Sequence, residues 1–94
     1  MTPITRLLNL GEKTAKWLAC LDIHTSEDLD AFGVVEAYCE IKQMYPDRAN
    51  LNLLYSLQGA LLGVPWSLLP EAMKEDLKRR VLEHEQRNPT ESGG

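Results

Sequence analysis

The chain has 94 residues, 44% of them apolar, and a net charge of −4. That is enough to bury a modest core in one domain, which excludes a disordered chain, and the acidic balance makes a poor general polyanion binder. No run approaches the roughly 20 apolar residues that span a bilayer: the richest stretch, 51–62, is broken by Asn52, Ser56 and Gln58. Pro3 suits a first helical turn, so "ITRLL" is expected to form a short helix that Asn9 and Gly11 end. A second helix is predicted over 12–21, with Ala15, Leu18, Ala19 and Leu21 on its inner face. "DIH" is a connector. Thr25 then reads as an N-cap with Asp28 three residues on, the capping-box spacing with a shorter acid. The short helix it opens, "SEDLDAF", stops at Gly33.

Val34, Ala37, Tyr38, Ile41 and Tyr45 recur at three and four, which predicts a helix over 34–45 that Pro46 terminates. Asn50 can cap the next helix, over 51–62. Its apolar residues occupy most of the circumference, which predicts a central, buried element. Gly59 inside it implies close approach of another helix, under Trp66 or Trp17. Gly63 and Pro65 close it. "WSLL" leads to Pro70, and a surface helix is expected over 70–86. There Met73, Leu77 and Val81 face inward, and Glu75 pairs with Arg79 at i,i+4. "NPTESGG" reads as a frayed tail. The expected fold is all-α: about five helices in a single domain over 1–87, with a disordered tail at 88–94 and no internal repeat.

The chemistry-bearing residues are few. His24 sits beside a helix cap, and His84 lies on a polar face between Glu83 and Glu85. Neither has a nucleophile and an orienting carboxylate in local reach, so no enzyme, cofactor, metal or small-molecule substrate is expected. Cys20 and Cys39 lack CxxC spacing and read as two free, buried thiols. With no signal-peptide pattern at the start, a cytoplasmic location is expected. The glycines are too scattered for a phosphate loop. The five Trp and Tyr residues (Trp17, Tyr38, Tyr45, Tyr55, Trp66) fall at core positions or beside prolines. "KRR" at 78–80 is flanked by Asp76 and Glu83 and reads as a solvated mixed-charge face.

Charge is uneven. In 1–20, Arg6, Lys13 and Lys16 against Glu12 leave +2, whereas 21–47 carries seven acids against Lys42 and sums to −6. Any nucleic-acid contact is therefore confined to the N-terminal end. The stretch "LNLGEKTAKWL" has a mechanism for one. The first N–H groups of a helix lack partners, and its dipole adds positive charge there. A phosphate could lie on them, with Gly11 admitting it, Lys13 and the Thr14 hydroxyl beside it and Lys16 one turn on. A tight turn between two packed helices explains the same residues. The acids Glu27, Asp28, Asp30, Glu36 and Glu40 form a candidate face for a basic protein partner, and self-association to a homo-oligomer is also open.

The stretch "LNLGEKTAKWL…LDIHTSEDL" resembles a helix-hairpin-helix unit: an apolar-x-apolar-Gly turn, "KTA" opening a helix, an "I-x-T" connector and an acidic "EDL" helix. With "GVVEAY", "NLNLLYSLQGALLGVPW" and "LP" further on, residues 6–80 resemble the C-terminal domain of the TfoX/Sxy family, bacterial regulators of natural transformation competence. The most specific parts are Leu10-Gly11-x-Lys13, Ile23-x-Thr25, Gly33-x-x-x-Ala37-Tyr38 and Asn52-Leu53-Leu54-Tyr55 with Gly59-Ala60. The resemblance implies an all-helical domain with an embedded helix-hairpin-helix-like element and a role in competence gene transcription. It implies a transcription-related protein partner and no membrane. Family members usually carry a separate N-terminal α/β domain as well, so a stand-alone version and a fragment both remain open. A shorter resemblance, in the connector and the "EDL" helix, is to the C-terminal domain of the RNA polymerase α subunit. One departure bears on DNA. DNA-binding hairpins usually have glycine two positions before Gly11, and Asn9 stands there. Asn tolerates the turn, but its side chain crowds a phosphate.

Overall fold

A computed structural model describes residues 10–87. The expected short helix ending near Asn9 and the expected tail from residue 88 lie outside the described residues. Within them the chain forms α1 (Glu12–Ala19), α2 (Ser26–Phe32), α3 (Val34–Met44), α4 (Leu51–Leu62), a 3-10 turn (Trp66–Leu68) and α5 (Glu71–Arg87), with no strand among the described residues. The fold is all-α, as expected.

Local chemistry explains the boundaries. The α1 helix ends in a Schellman arrangement: Ile23 N–H donates to Leu18 O and Asp22 N–H to Ala19 O, both at 2.9 Å. The residue in the left-handed position there is Asp22, φ 65°, where a glycine is usual. Ile23 and Leu18, the apolar pair this motif brings together, are both buried. The α2 helix opens with the capping box expected at Thr25. Asp28 N–H donates to the Thr25 hydroxyl at 3.1 Å, and Thr25 N–H donates back to the Asp28 carboxylate at 3.2 Å. His24 N–H adds a third bond to the same carboxylate, at 3.0 Å. A single residue, Gly33, separates α2 from α3. It accepts from Ala37 N–H and donates to Leu29 O, each at 2.9 Å, at φ 101°. Only glycine adopts that backbone without strain. Asn50 caps α4 by accepting from Leu53 N–H at 3.1 Å. Gly63, φ 73°, closes it, with Val64 N–H donating to Gly59 O at 3.0 Å.

The core is shared by every helix. Leu18 of α1, Leu29 of α2, Val35 and Ile41 of α3, Leu54 and Leu57 of α4, and Leu77 of α5 are almost wholly inaccessible, and Ile23 joins them from the α1–α2 connector. The central place expected for α4 is shared with α3: α4 touches α2, α3, α5 and the 3-10 turn, and α3 touches α1, α2, α4 and α5. Leu53, Leu54, Tyr55, Leu57, Gly59 and Ala60 of α4 are buried, but Leu51 and Leu62 at its ends stand exposed, so its apolar surplus exceeds what the small core absorbs. Three smaller expectations are also corrected. Ala19 points to solvent, because α1 ends there and the chain turns away. Cys20, the C-cap of α1, is exposed, whereas Cys39 is buried as expected. Glu75 pairs with Lys78 at i,i+3, not with Arg79, which reaches both Asp76 and Glu83.

Candidate functional site

The N-termini of α1 and α3 both follow a glycine, whereas side chains cap α2 and α4; among the described residues no side chain caps the first turn of α1. The amides of Glu12, Lys13 and Thr14 precede the first intrahelical bond, which runs from Ala15 N–H to Gly11 O at 3.0 Å. Gly11 is exposed and in ordinary extended backbone, φ −98° and ψ −175°. A Cβ added there would meet nothing within 4 Å. So the backbone does not demand glycine at this position, and the approach to the amides is open among the described residues. Lys13 and Lys16 are exposed and lie on one side of the helix, three residues apart; Thr14 is half-buried. Glu12, also exposed, opposes an incoming anion. One turn on from Lys13, Trp17 stacks on Tyr45 with ring centroids 5.3 Å apart, which ties the helix to the end of α3. The structure therefore brings Gly11, Lys13, Thr14 and Lys16 to one open helix end.

The acidic set is divided. Asp28 is taken up by its cap: the His24 N–H bond, with the Thr25 contacts, holds its carboxyl below the usual range. Glu36 lies over Gly33, where an added Cβ would overlap its carboxylate. Glu40 is half-buried one turn further along α3. Glu27 and Asp30, also one turn apart, border an open groove of about 550 Å³. Val34, Leu61 and Leu62 supply its apolar lining, and Arg80 of α5 stands on its rim. Sequence reading placed no groove there. The available signal was the apolar excess at the end of α4; nothing in the local pattern of α5 brings Arg80 to α2.

The remaining candidates have structural partners. His24 Nε2 lies 3.2 Å from Asp22 Oδ1 with both side chains well exposed, so the pair sits in no cleft. The "KRR" run is a ladder: Lys78 to Glu75, Arg79 to Asp76 and Glu83, Arg80 to Asp76. Tyr38 and Tyr55 are buried. Tyr55 stacks on Trp66 at 6.4 Å with the Lys74 ammonium over both rings, so the aromatics at this end serve packing. No group of three or more His, Cys, Asp or Glu that could hold a metal ion occurs among the described residues. No helix among them is long and apolar enough to cross a membrane.

Comparison with known proteins gives the chain relatives. The TfoX C-terminal domain profile matches residues 1–81. Among solved structures, a crystal structure of an uncharacterized protein from Listeria monocytogenes, in a triclinic form, superposes with a TM-score of 0.78 at 30% identity, covering 89% of this chain and 94% of that one. A protein of unknown function from Listeria monocytogenes, in a tetragonal form, gives 0.75 at 30% identity, over 85% and 96%. No curated protein matches. With the profile spanning most of the chain and the helices in this arrangement, the chain belongs to the TfoX C-terminal domain family.

Proposed function

We propose that this chain is a small, non-catalytic regulatory domain of the cytoplasm, linked to control of competence genes, that touches DNA phosphate through the start of α1. The observation that supports the reading is the uncapped first turn of α1, open at Gly11 and flanked by exposed Lys13 and Lys16. Backbone amides and lysines bind phosphate without reading bases, so the contact is sequence-independent. The net charge of −4 keeps it weak. Titration of a fluorescently labelled duplex at low salt tests this. The expected result is binding near 100 μM, the weak end of non-specific affinity, falling with salt at a log–log slope of about −2 to −3 for two or three phosphates. Lys13→Glu should weaken it at least tenfold. Absence of binding removes DNA from the function; unchanged binding by Lys13→Glu removes this site from it.

A second reading is a protein-interaction domain meeting a basic partner. It is favoured by the composition of α2, which has acids at Glu27, Asp28 and Asp30 and no basic residue. Charge reversal at Glu36 and Glu40 that leaves captured partners unchanged would take α3 out of that contact.

A further inference from the structure

A second cavity, of about 350 Å³, lies between α3, the start of α4 and α5, away from the α2 groove. Ala49, Leu51, Val81 and Leu82 give it apolar walls. Leu51 and Leu82 are 40% and 60% exposed, surface that the core leaves uncovered. The charged residues around it are matched within the protein: Lys42 pairs with Glu85 at 3.1 Å, and Lys78 with Glu75 at 3.5 Å. They call for no charge in a ligand. An unmet polar group remains at Tyr38. This residue lines the cavity although it is only 3% exposed, and its hydroxyl has no hydrogen-bond partner among the described residues. Burial pushes the phenol above its ordinary value, so it stays protonated and offers an O–H donor. Nearer solvent, the Asn50 side-chain oxygen accepts from Leu53 N–H, which leaves the amide nitrogen of Asn50 as a second donor. A buried donor without an acceptor is destabilising, and a ligand that supplies one removes that cost.

We infer that this cavity binds a small, uncharged, largely apolar molecule with a carbonyl or similar acceptor oxygen, which the Tyr38 hydroxyl meets while the apolar part lies on Leu51, Val81 and Leu82. Each attribute has its own ground. An acceptor is required because both unmet groups are donors. Neutrality follows from the closed ion pairs, which a charged ligand would have to break. Small size follows from the volume, at the lower end of the range for ligand pockets. The walls come from α3, α4 and α5, so occupancy ties three helices together and gives the domain a means to respond to the ligand. No residue of α1 or α2 takes part, so the inference stands apart from the DNA contact at α1 and from the acids of α2.

Three compounds on one bicyclic carbon skeleton test it against the full chain: indanone, with a ketone; indane, with no polar atom; and indane carboxylate, with a charge. Backbone-amide NMR shifts and a binding isotherm are the readouts. Indanone should bind in the millimolar range that a fragment of its size reaches, and shift Tyr38, Leu51, Val81 and Leu82. Tyr38→Phe, which removes the hydroxyl and keeps the ring, should weaken indanone about fivefold and leave indane unchanged. Leu82→Ser, an exposed change compatible with folding, should weaken both. In the free protein Tyr38→Phe should leave the Tm unchanged or raise it, since no partner is stranded. A lower Tm would show that the hydroxyl is already bonded and overturn the inference. Indanone affinity that Tyr38→Phe does not change overturns it, as does carboxylate binding as tight as the ketone's. Shifts confined to the α2 groove, or none at the solubility limit of indanone, overturn it too. Concentration-dependent shifts of Leu51 and Leu82 in the free protein that Leu82→Ser abolishes would give this face to a second copy and overturn the inference as well.

Discussion

Glycines that look alike in the sequence are held here by different forces. Gly33 joins α2 to α3 at φ 101°, a region that costs other residues about 1–3 kcal/mol. A Cβ there would also displace the Glu36 carboxylate, which can swing away. Gly33→Ala should therefore lose about 1–3 kcal/mol in urea unfolding. Gly11→Ala should stay within about 0.5 kcal/mol, because its extended backbone suits any residue and the weaker cap is offset by a less flexible unfolded chain. At Asp22, φ 65°, the change to glycine runs the other way and should stabilise by up to about 1 kcal/mol. Asp28 supplies a pH dependence. The His24 N–H bond, first among its contacts, keeps the folded carboxyl below its ordinary 3.8. A depressed folded pKa means stability that is present above 3.8 and lost as the pH falls through the folded value. The stability gap between the wild type and Asp28→Asn should thus narrow progressively in acid unfolding below that pH.

At the level of elements, α3 holds the assembly together. It carries Val35, Ala37, Tyr38 and Ile41 into the core and is tied to α5 by the Lys42–Glu85 pair at 3.1 Å. That pair is partly exposed on both sides and contributes at most about 1 kcal/mol. The burial of α3 has a chemical consequence at Cys39, where removal from water pushes the thiol up to about 11. Cys20 stands exposed at the end of α1. An aromatic disulfide reagent at pH 8 should consume one thiol promptly in the folded protein and the second only at the rate at which α3 opens. Two promptly reactive thiols would place Cys39 outside the core. Most helix boundaries in this chain were legible for a physical reason: a cap or a breaker within four or five residues sets them. Thr25 with Asp28, Gly33, Asn50 and Gly63 all act where their types predict. The Asp22 turn was not legible, because aspartate in a left-handed position is specified by the Leu18–Ile23 packing and not by its own preference.

Over the whole molecule, charge is segregated. Lys13 and Lys16 lie at one helix end, while α2 and the outer side of α3 carry the acids. This is why the proposed DNA contact at α1 should weaken with salt and survive charge reversal at Glu36 and Glu40. The sequence by itself determined the helical class, the positions of the breaks and the family, since those depend on residue type, spacing and order along the chain. Only the tertiary structure decided that α3 shares the centre with α4, that Cys20 and Ala19 face water, and that Glu27 and Asp30 share a groove with Leu61, Leu62 and Arg80. The groove follows from helix faces that meet across long stretches of chain, and the exposure of Ala19 and Cys20 from where α1 ends. A small core has room for only part of the apolar surface that the helices offer, and the rest, at Leu51, Leu62 and Leu82, stays exposed.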